Sequence, residues 1–398
     1  MSENNRKNKS GIVELIKLFL KLGTIAFGGP AAHIAIMEEE VVRRRKWITR
    51  EHFLDLVGAT NLIPGPNSTE MAIHIGYIRG GLLGLIVSGL SFILPAVIIT
   101  GVLAWMYVRF GAIPEVAPFL VGIKPAVISI ILVAVIRLGK TAAKNTQLII
   151  IGTAVGAASL LGISEILALL SGGMSGIILY KMKQSEGRVP SGWILPFLVN
   201  LGNIFKSSEA KAAVAVSATG IIGISLWKLG LFFLKVGSVL YGSGYVLIAF
   251  LEGGLVKDYG WLTQQQLLDA IAIGQFTPGP VLSTATFVGY IVLGVPGALV
   301  STAAIFLPSF IFVLLLNPII PRLRSSKMMS AFLDAVNISA IGLMAAVVVN
   351  LAGSTLTDWR TIFIAAGAAI AGIRFKLNAA WLVAGGAVAG WFLQIIFR

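Results

Sequence analysis

The stretch "NLIPGPNSTEMAIHIGY" (Asn61–Tyr77) is repeated in outline as "GQFTPGPVLSTATFVGY" (Gly274–Tyr290). In both, a Pro-Gly-Pro interrupts an apolar run, hydroxyl residues follow, and a Gly-Tyr pair closes the stretch. Proline removes an amide donor and clashes with the preceding helical turn, and glycine permits a sharp reversal. Each stretch therefore predicts two half-helices joined at a tip. A single kinked helix is the simpler alternative.

The composition places most of the chain in lipid. Of its 398 residues, 57% are hydrophobic and 12% are charged, whereas a soluble domain carries about 25% charged residues. Runs such as Leu82–Met106 and Ala331–Val349 approach or exceed the roughly 20 residues that a helix needs to cross hydrocarbon. The short alternating segments of a membrane β-barrel are missing from the sequence. We therefore predict an all-α polytopic membrane protein.

The formal net charge of +14 indicates lipid rather than nucleic acid as the partner. The basic residues fall between the apolar runs, and we interpret their positions as short inter-helix loops. Basic loops orient a membrane protein and contact anionic lipid headgroups. The basic groups are Arg43–Trp47, Arg137–Lys140, Lys181–Lys183 and Arg322–Lys327. No cysteine is present, and the histidines lack metal-ligand spacing, so we expect neither a metal nor a cofactor.

The two tips belong to a repeat that covers most of the chain. At an offset of 214 positions, Trp47 matches Trp261 and Asp55 matches Asp269; after the tips the offset becomes 213 and pairs Pro95 with Pro308. We predict two homologous halves, 1–190 and 220–398. A linker with an apolar connecting segment, 191–219, joins them.

The distribution of basic loops predicts that the second half is inverted. The loop Arg43–Arg50 is strongly basic, whereas its counterpart from Lys257 is close to neutral. Farther along, the bias reverses, since the loop from Pro321 is basic and its counterpart near Arg109 is not. By the positive-inside rule the halves then run antiparallel, and their broken helices meet near the membrane midplane. Two parallel repeats are the alternative.

The tips have the chemistry of an anion site. Each tip is followed by a new half-helix, whose first amides lack intrahelical partners and carry the positive end of the helix dipole. Polar residues at both tips supply further donors, although helix capping alone also accounts for the hydroxyl groups. The candidate substrate-binding residues are Asn61, Pro64, Gly65, Pro66, Asn67, Ser68 and Thr69 in the first half, with Gln275, Pro278, Gly279, Pro280, Ser283 and Thr284 in the second.

Lys124 is the charged residue that stands inside a predicted span, and its counterpart is Asn337. A lysine within a span predicts a functional role, with snorkelling to the interface as the alternative. We add both residues to the substrate site. Five further charged residues are candidates for coupling or for structural ion pairs: the matched pairs Lys21 and Lys235, and Glu38 and Glu252, together with Glu70, which has no acidic counterpart.

These motifs resemble the chromate ion transporter (CHR) family along nearly the whole chain. The matching segments are Phe27–Pro30, Glu38–Asp55, Pro64–Tyr77, Lys124–Val127 and Gly274–Tyr290. The resemblance implies the long, two-domain form. It further implies an inner-membrane protein that expels chromate, is energised by the membrane potential or a proton gradient, and confers chromate resistance. Family members commonly have Gln where this chain has Asn61, which makes "oxyanion" a firmer expectation than chromate itself.

Three classes of function remain open from the sequence. The first is an oxyanion exporter with its site between the tips. The second is a carrier or channel of the same architecture for sulfate or another small anion. The third is a membrane-embedded enzyme or a scaffold. The enzyme is disfavoured because the sequence has no H-E-x-x-H site, clustered aspartate motif or Ser/His pairing. A homodimer is the oligomeric state that we keep open.

Overall fold

The computed structural model describes residues 3–26, 29–111, 117–184, 224–316 and 326–396. Throughout these ranges the regular structure is helical, so the all-α prediction is confirmed. The predicted linker 191–219 lies outside the described residues, as do Phe27 and Gly28 of the first matched break and most of the basic group Arg322–Lys327.

The helices of the two halves follow in corresponding order. The first half contains α1 (Glu3–Ile25), α2 (Pro30–Glu38), α3 (Arg50–Thr60), α4 (Asn67–Phe110), α5 (Ala117–Ala142), α6 (Thr146–Leu160) and α7 (Glu165–Gln184). The second half contains α8 (Leu226–Val239), α9 (Leu247–Phe250), α10 (Gln264–Phe276), α11 (Thr284–Leu316), α12 (Lys327–Thr355), α13 (Trp359–Arg374) and α14 (Ala379–Ile396). A π-helical segment follows α2 (Glu39–Arg44) and another follows α9 (Leu251–Asp258). Among the described helices, six are long and apolar enough to cross a membrane.

Two of the predicted basic loops are helical instead. Arg137–Lys140 lies inside α5, and Lys181–Lys183 forms the last turn of α7. Arginine and lysine are good helix formers, and cations near a helix C-terminus are favoured by the helix dipole. The apolar run therefore ends before the helix does. Because Arg137 lies within α5, the helix determines the side from which its side chain projects.

Helices α4 and α11 each contain a sharp reversal. In α4, Gly80 and Gly81 have non-helical backbone angles, and Gly81 has φ of +58°. A Cβ atom placed on Gly84 would collide with the carbonyl of Gly76, although eight residues of straight helix would separate them by about 12 Å. The segments 67–79 and 82–110 therefore fold back on each other. Leu293 and Gly294 produce the same reversal in α11, and Gly297 meets Gly289.

The two halves interlock through their tips. We call residues 61–67 tip 1 and residues 275–280 tip 2. The Gly65 amide of tip 1 donates to the carbonyl of Leu240 at 2.7 Å, and the Gly279 amide of tip 2 donates to the carbonyl of Ala26 at 3.0 Å. Ala26 and Leu240 are themselves equivalent at the offset of 214 and follow the ends of α1 and α8. Each tip thus packs against the break after the first helix of the other half.

Small residues bring the helices around the tips into close contact. Gly122 of α5 lies against the backbone of Gly386 in α14, and Gly342 of α12 lies against the backbone of Gly152 in α6. Glycine at such crossings lets helix backbones approach closely, which is how helices in lipid gain packing energy. These contacts hold α5 and α14 beside the tips, where they supply walls of the site.

Candidate substrate site

Tip 1 begins where α3 ends at Thr60, and Pro66 is the N-cap residue of α4. Its Pro64, Gly65 and Pro66 are buried. The tip is closed by two asparagines, since Asn67 Nδ2 donates to Asn61 Oδ1 at 2.6 Å. Asn61 Nδ2 in turn donates to the carbonyl of Val57 at 3.0 Å. Asn61 therefore ties α3 to the first turn of α4.

Tip 2 has the same form with different side chains. Its Pro278, Gly279 and Pro280 are buried, and Gly279 has φ of +88°. Gln275, in the last turn of α10, is buried with 8% of its surface exposed. A short 3-10 turn, Val281–Ser283, precedes α11 and has no counterpart at tip 1. Both tips deliver a carboxamide and a helix start to the same region.

A cavity of about 570 Å³ lies between the two tips. Tip 1 contributes Asn67 to its wall, and tip 2 contributes Gln275, Thr277 and Gly279. The breaks after α1 and α8 also line it, through Ala26, Gly29, Gly242, Ser243 and Tyr245. Of the predicted substrate-binding residues, Asn67, Gln275 and Gly279 line this one cavity. Their contact with a substrate stays a prediction.

Arg137 is a charged cavity residue that is not among the candidates from the sequence. It projects from α5 into the cavity wall, and its Nη2 donates to the carbonyl of Gly372 in α13 at 2.9 Å. Lys376, in the connection between α13 and α14, is a second lining cation. No aspartate or glutamate lies among the described residues of this wall. The sequence predicts a loop at this arginine, whereas in the structure α5 continues as a helix to Ala142 and includes it.

A second cavity of about 210 Å³ adjoins the first. Both cavities are lined by Leu138, Thr141 and Gly242. Asn61 and Asn337, two of the predicted residues, line the second cavity. Lys144, just before α6, and Asp334 of α12 also line the second cavity. Lys144 Nζ lies 2.6 Å from Asp334 Oδ1 in an ion pair. The hydrogen bond between Asn61 and Asn67 spans the boundary between the two cavities.

Comparison with known proteins identifies the family. The sequence profile described as "Chromate transporter" matches this chain twice, at residues 13–177 and 227–391, and each match contains one tip. The chain belongs to the chromate transporter family. Six helices in the described part of the chain are able to cross a membrane. Together with the two family matches, they make this a multi-pass membrane protein of two halves.

Three relatives extend over nearly the whole chain. The chain is 33% identical to the chromate transport protein of Cupriavidus metallidurans, over 95% of this chain and 92% of that protein. It is 32% identical to a probable chromate transport protein of Synechococcus elongatus, covering 88% of this chain and 87% of the relative. A chromate transport protein of Pseudomonas aeruginosa is 31% identical over 96% of this chain and 92% of its own length. No solved structure matches this chain.

In this chromate transporter family member, the predicted hydroxyl residues are buried beside the tips and do not line either cavity. Ser68 and Thr69 are 2% and 0% exposed. Ser283 accepts a hydrogen bond from Thr100 at 3.2 Å, and Thr284 donates to the carbonyl of Val281 at 2.8 Å. Contacts of this kind match the capping and packing alternative for the second tip. Substrate contact by these four residues stays a prediction.

Lys124 is half-buried on α5 and is absent from the described lining of both cavities. Its charge acts on Asp269 of α10, whose Oδ2 accepts a hydrogen bond of 2.8 Å from Tyr107. The structure therefore places Lys124 in a polar group between α4, α5 and α10. Its predicted counterpart, Asn337, does reach a cavity.

Most of the remaining charged candidates form ion pairs. Glu38 lies 3.4 Å from Arg50, Lys21 lies 3.1 Å from Glu40, and Glu252 lies 2.9 Å from Lys257. Burial favours a raised pKa for Glu40, but hydrogen bonds from Arg45 and Lys21 outweigh it, so the pKa of Glu40 is lowered. Lys235 is exposed on α8. Apart from Lys235, these contacts favour the structural alternative. Glu70 forms no ion pair among the described residues.

Proposed function

We propose that this protein exports chromate, or a similar tetrahedral oxyanion, from the bacterial cytoplasm through the cavity between its two tips, and so confers chromate resistance. The observation that carries the proposal is the charge of the cavity wall. Arg137 and Lys376 line it, and no carboxylate does so among the described residues. A dianion entering this cavity meets positive charge without like-charge repulsion.

The donors around the cavity suit an oxyanion. Arginine presents several N–H groups in a planar fork that matches an oxyanion. Asn67 opens α4, and the first amides of a helix favour a bound anion. Gln275 and Thr277 add an amide and a hydroxyl from the opposite tip. The volume of about 570 Å³ leaves space for water around a small tetrahedral ion, since one water occupies roughly 30 Å³.

The membrane potential favours export. Moving one charge through the membrane is worth about 2.3 kcal/mol per 100 mV. A dianion leaving an interior that is negative gains roughly twice that amount. Such a gradient drives export without nucleotide hydrolysis, and this chain has no G-x-x-x-x-G-K-[ST] loop.

The proposed cycle uses the inverted repeat. With the halves antiparallel in the cytoplasmic membrane, tip 1 enters from one face and tip 2 from the other, and they meet near the midplane. Hydrogen bonds from the Gly65 and Gly279 amides to the other half help to satisfy the non-helical backbone at that depth. Movement of one half against the other then opens the shared cavity to each side in turn.

Flux measured in proteoliposomes tests the proposal. The purified full-length protein is reconstituted with chromate inside, and an interior-negative potassium diffusion potential is imposed. We expect chromate efflux to exceed that from protein-free vesicles and to increase with the potential. Sulfate and phosphate measured in parallel identify the preferred tetrahedral ion. Chromate efflux equal to that from protein-free vesicles contradicts chromate export, and sulfate flux without chromate flux selects the sulfate carrier instead.

A further inference from the structure

Glu70 is a buried carboxylate directly behind tip 1. It lies in the first turn of α4, three residues after Asn67, and 0% of its surface is exposed. Neither carboxylate oxygen has a hydrogen-bond partner within the described part of the chain. Oε1 lies so close to Gly65 that a Cβ atom on Gly65 would collide with it and with Ser309 Oγ. The hydroxyl of Ser309 faces the carboxylate without completing a hydrogen bond of normal geometry.

His74 lies one helical turn after Glu70, on the same face of α4. Its imidazole is 1% exposed, and neither ring nitrogen has a hydrogen-bond partner within the described residues. His52 of α3 is exposed, and its charge acts on His74. Burial therefore increases from the exposed His52 to His74 and Glu70, which are 1% and 0% exposed.

None of these three residues is repeated in the second half. At the same repeat offsets, Gln266 stands for His52, Phe287 for His74 and Ser283 for Glu70. The tips and their reciprocal hydrogen bonds are symmetric, so this asymmetry is not needed to build the fold. It adds a buried acid and two histidines to one tip alone.

Among the described residues, no lysine or arginine forms an ion pair with Glu70. Tyr241, in the break after α8, is near enough for an electrostatic interaction with Glu70. Ser309 on α11 carries no charge. On α4 itself, Arg79 lies more than one turn beyond His74 and pairs with Glu14 of α1 at 3.9 Å. On α2, His33 Nε2 is bonded to the carbonyl of Ala26 at 3.0 Å. A buried carboxylate without a cation is costly unless it takes up a proton.

We propose that Glu70 is a proton-binding site whose occupancy controls anion binding at tip 1, with His74 and His52 as its route to water. The inference rests on the proposed function. Deprotonation of Glu70 puts a negative charge behind the tip, which repels an anion in front of it, so the bound proton and the bound anion stabilise each other. By linkage, anion binding must then draw a proton onto the protein.

Anion binding by the purified full-length protein tests this linkage. Affinity for chromate and for sulfate is measured across a pH series for wild type and Glu70→Gln, and proton uptake on anion addition is followed with a pH dye in weak buffer. Because glutamine stays neutral, we expect the variant to keep its affinity as pH rises, whereas wild-type affinity falls roughly tenfold relative to it. The ratio of the two affinities at each pH cancels the titration of the anion itself.

Residues at the equivalent positions of the second half give substitutions that test His74 and His52 as the proton route. His74→Phe and His52→Gln copy Phe287 and Gln266. We expect both to slow proton uptake while leaving its final extent unchanged, and Glu70→Asp to restore pH dependence. Parallel pH profiles for wild type and Glu70→Gln, or anion binding without proton uptake in wild type, overturn the inference. Wild type that binds and transports no anion at any pH contradicts the proposed function instead.

Discussion

Replacing Gly65 with alanine will abolish anion flux and destabilise the folded protein by roughly 2–6 kcal/mol. Two costs add. Gly65 has φ of +146°, a conformation that residues with a side chain rarely adopt, at a cost of about 1–3 kcal/mol. The new methyl group would also collide with Glu70 and Ser309, and overpacking of this kind costs about 1–3 kcal/mol. Relief of the collision requires the buried Glu70 carboxylate and Ser309 hydroxyl to shift, or tip 1 to withdraw from its hydrogen bond with Leu240.

Thermal unfolding of the purified protein in detergent, together with flux in vesicles, measures both effects. Gly260→Ala is the matched control, since Gly260 has φ of +63° but no atom within 4 Å of an added Cβ. We expect this control to lose only the conformational term, about 1–2 kcal/mol, and to retain flux. Gly279→Ala tests tip 2, where the added atom would lie 3.0 Å from Ala96 Cβ and from the Gly23 carbonyl oxygen. Equal stability of Gly65→Ala and Gly260→Ala would show that tip 1 is not tightly packed.

The second large effect is expected at Arg137. Hydrogen bonds to charged groups contribute about 1.5–3 kcal/mol, so Arg137→Gln should weaken anion binding roughly 10- to 150-fold. Arg137→Lys keeps the charge but not the planar fork, and we expect an intermediate affinity. Binding and vesicle flux are measured against Lys140→Gln, which removes a cation three residues away that does not line either cavity. Unfolding temperatures identify any part of the effect that comes from the lost bond to Gly372.

Lys124→Met compares the site predicted from the sequence with the site in the structure. Lys124 is absent from the lining of both cavities, so we expect its loss to alter anion binding far less than Arg137→Gln does. Loss of binding in Lys124→Met, with Arg137→Gln equal to Lys140→Gln, would move the anion site towards Asp269 and Tyr107. Either result assigns the functional cation on α5.

The residues of the tips determined much of the fold by themselves. Pro-Gly-Pro cannot continue a helix, and the chain breaks between Thr60 and Asn67 and again between Phe276 and Val281. At the repeat offset of 214, Ala26 corresponds to Leu240, and the carbonyls of these two residues accept the hydrogen bonds from the tip amides. The helical class and the membrane setting followed from the apolar runs. All of these are local or repeated features of the chain, so the sequence contains them directly.

Only the tertiary structure decided which side chains face the cavity. Lys124 and Arg137 share α5 but are 13 positions apart, which separates them by about 20 Å along the axis and places them on different sides of the helix. Lys124 is predicted from the sequence because a cation inside an apolar run is unusual. Arg137 stands at the end of that run, where a cation is common, so the pattern does not predict a role for it. Whether either one meets the tips depends on how α5 crosses α14 at Gly122. Crossings of this kind join residues that are hundreds of positions apart, so no local pattern in the chain specifies them.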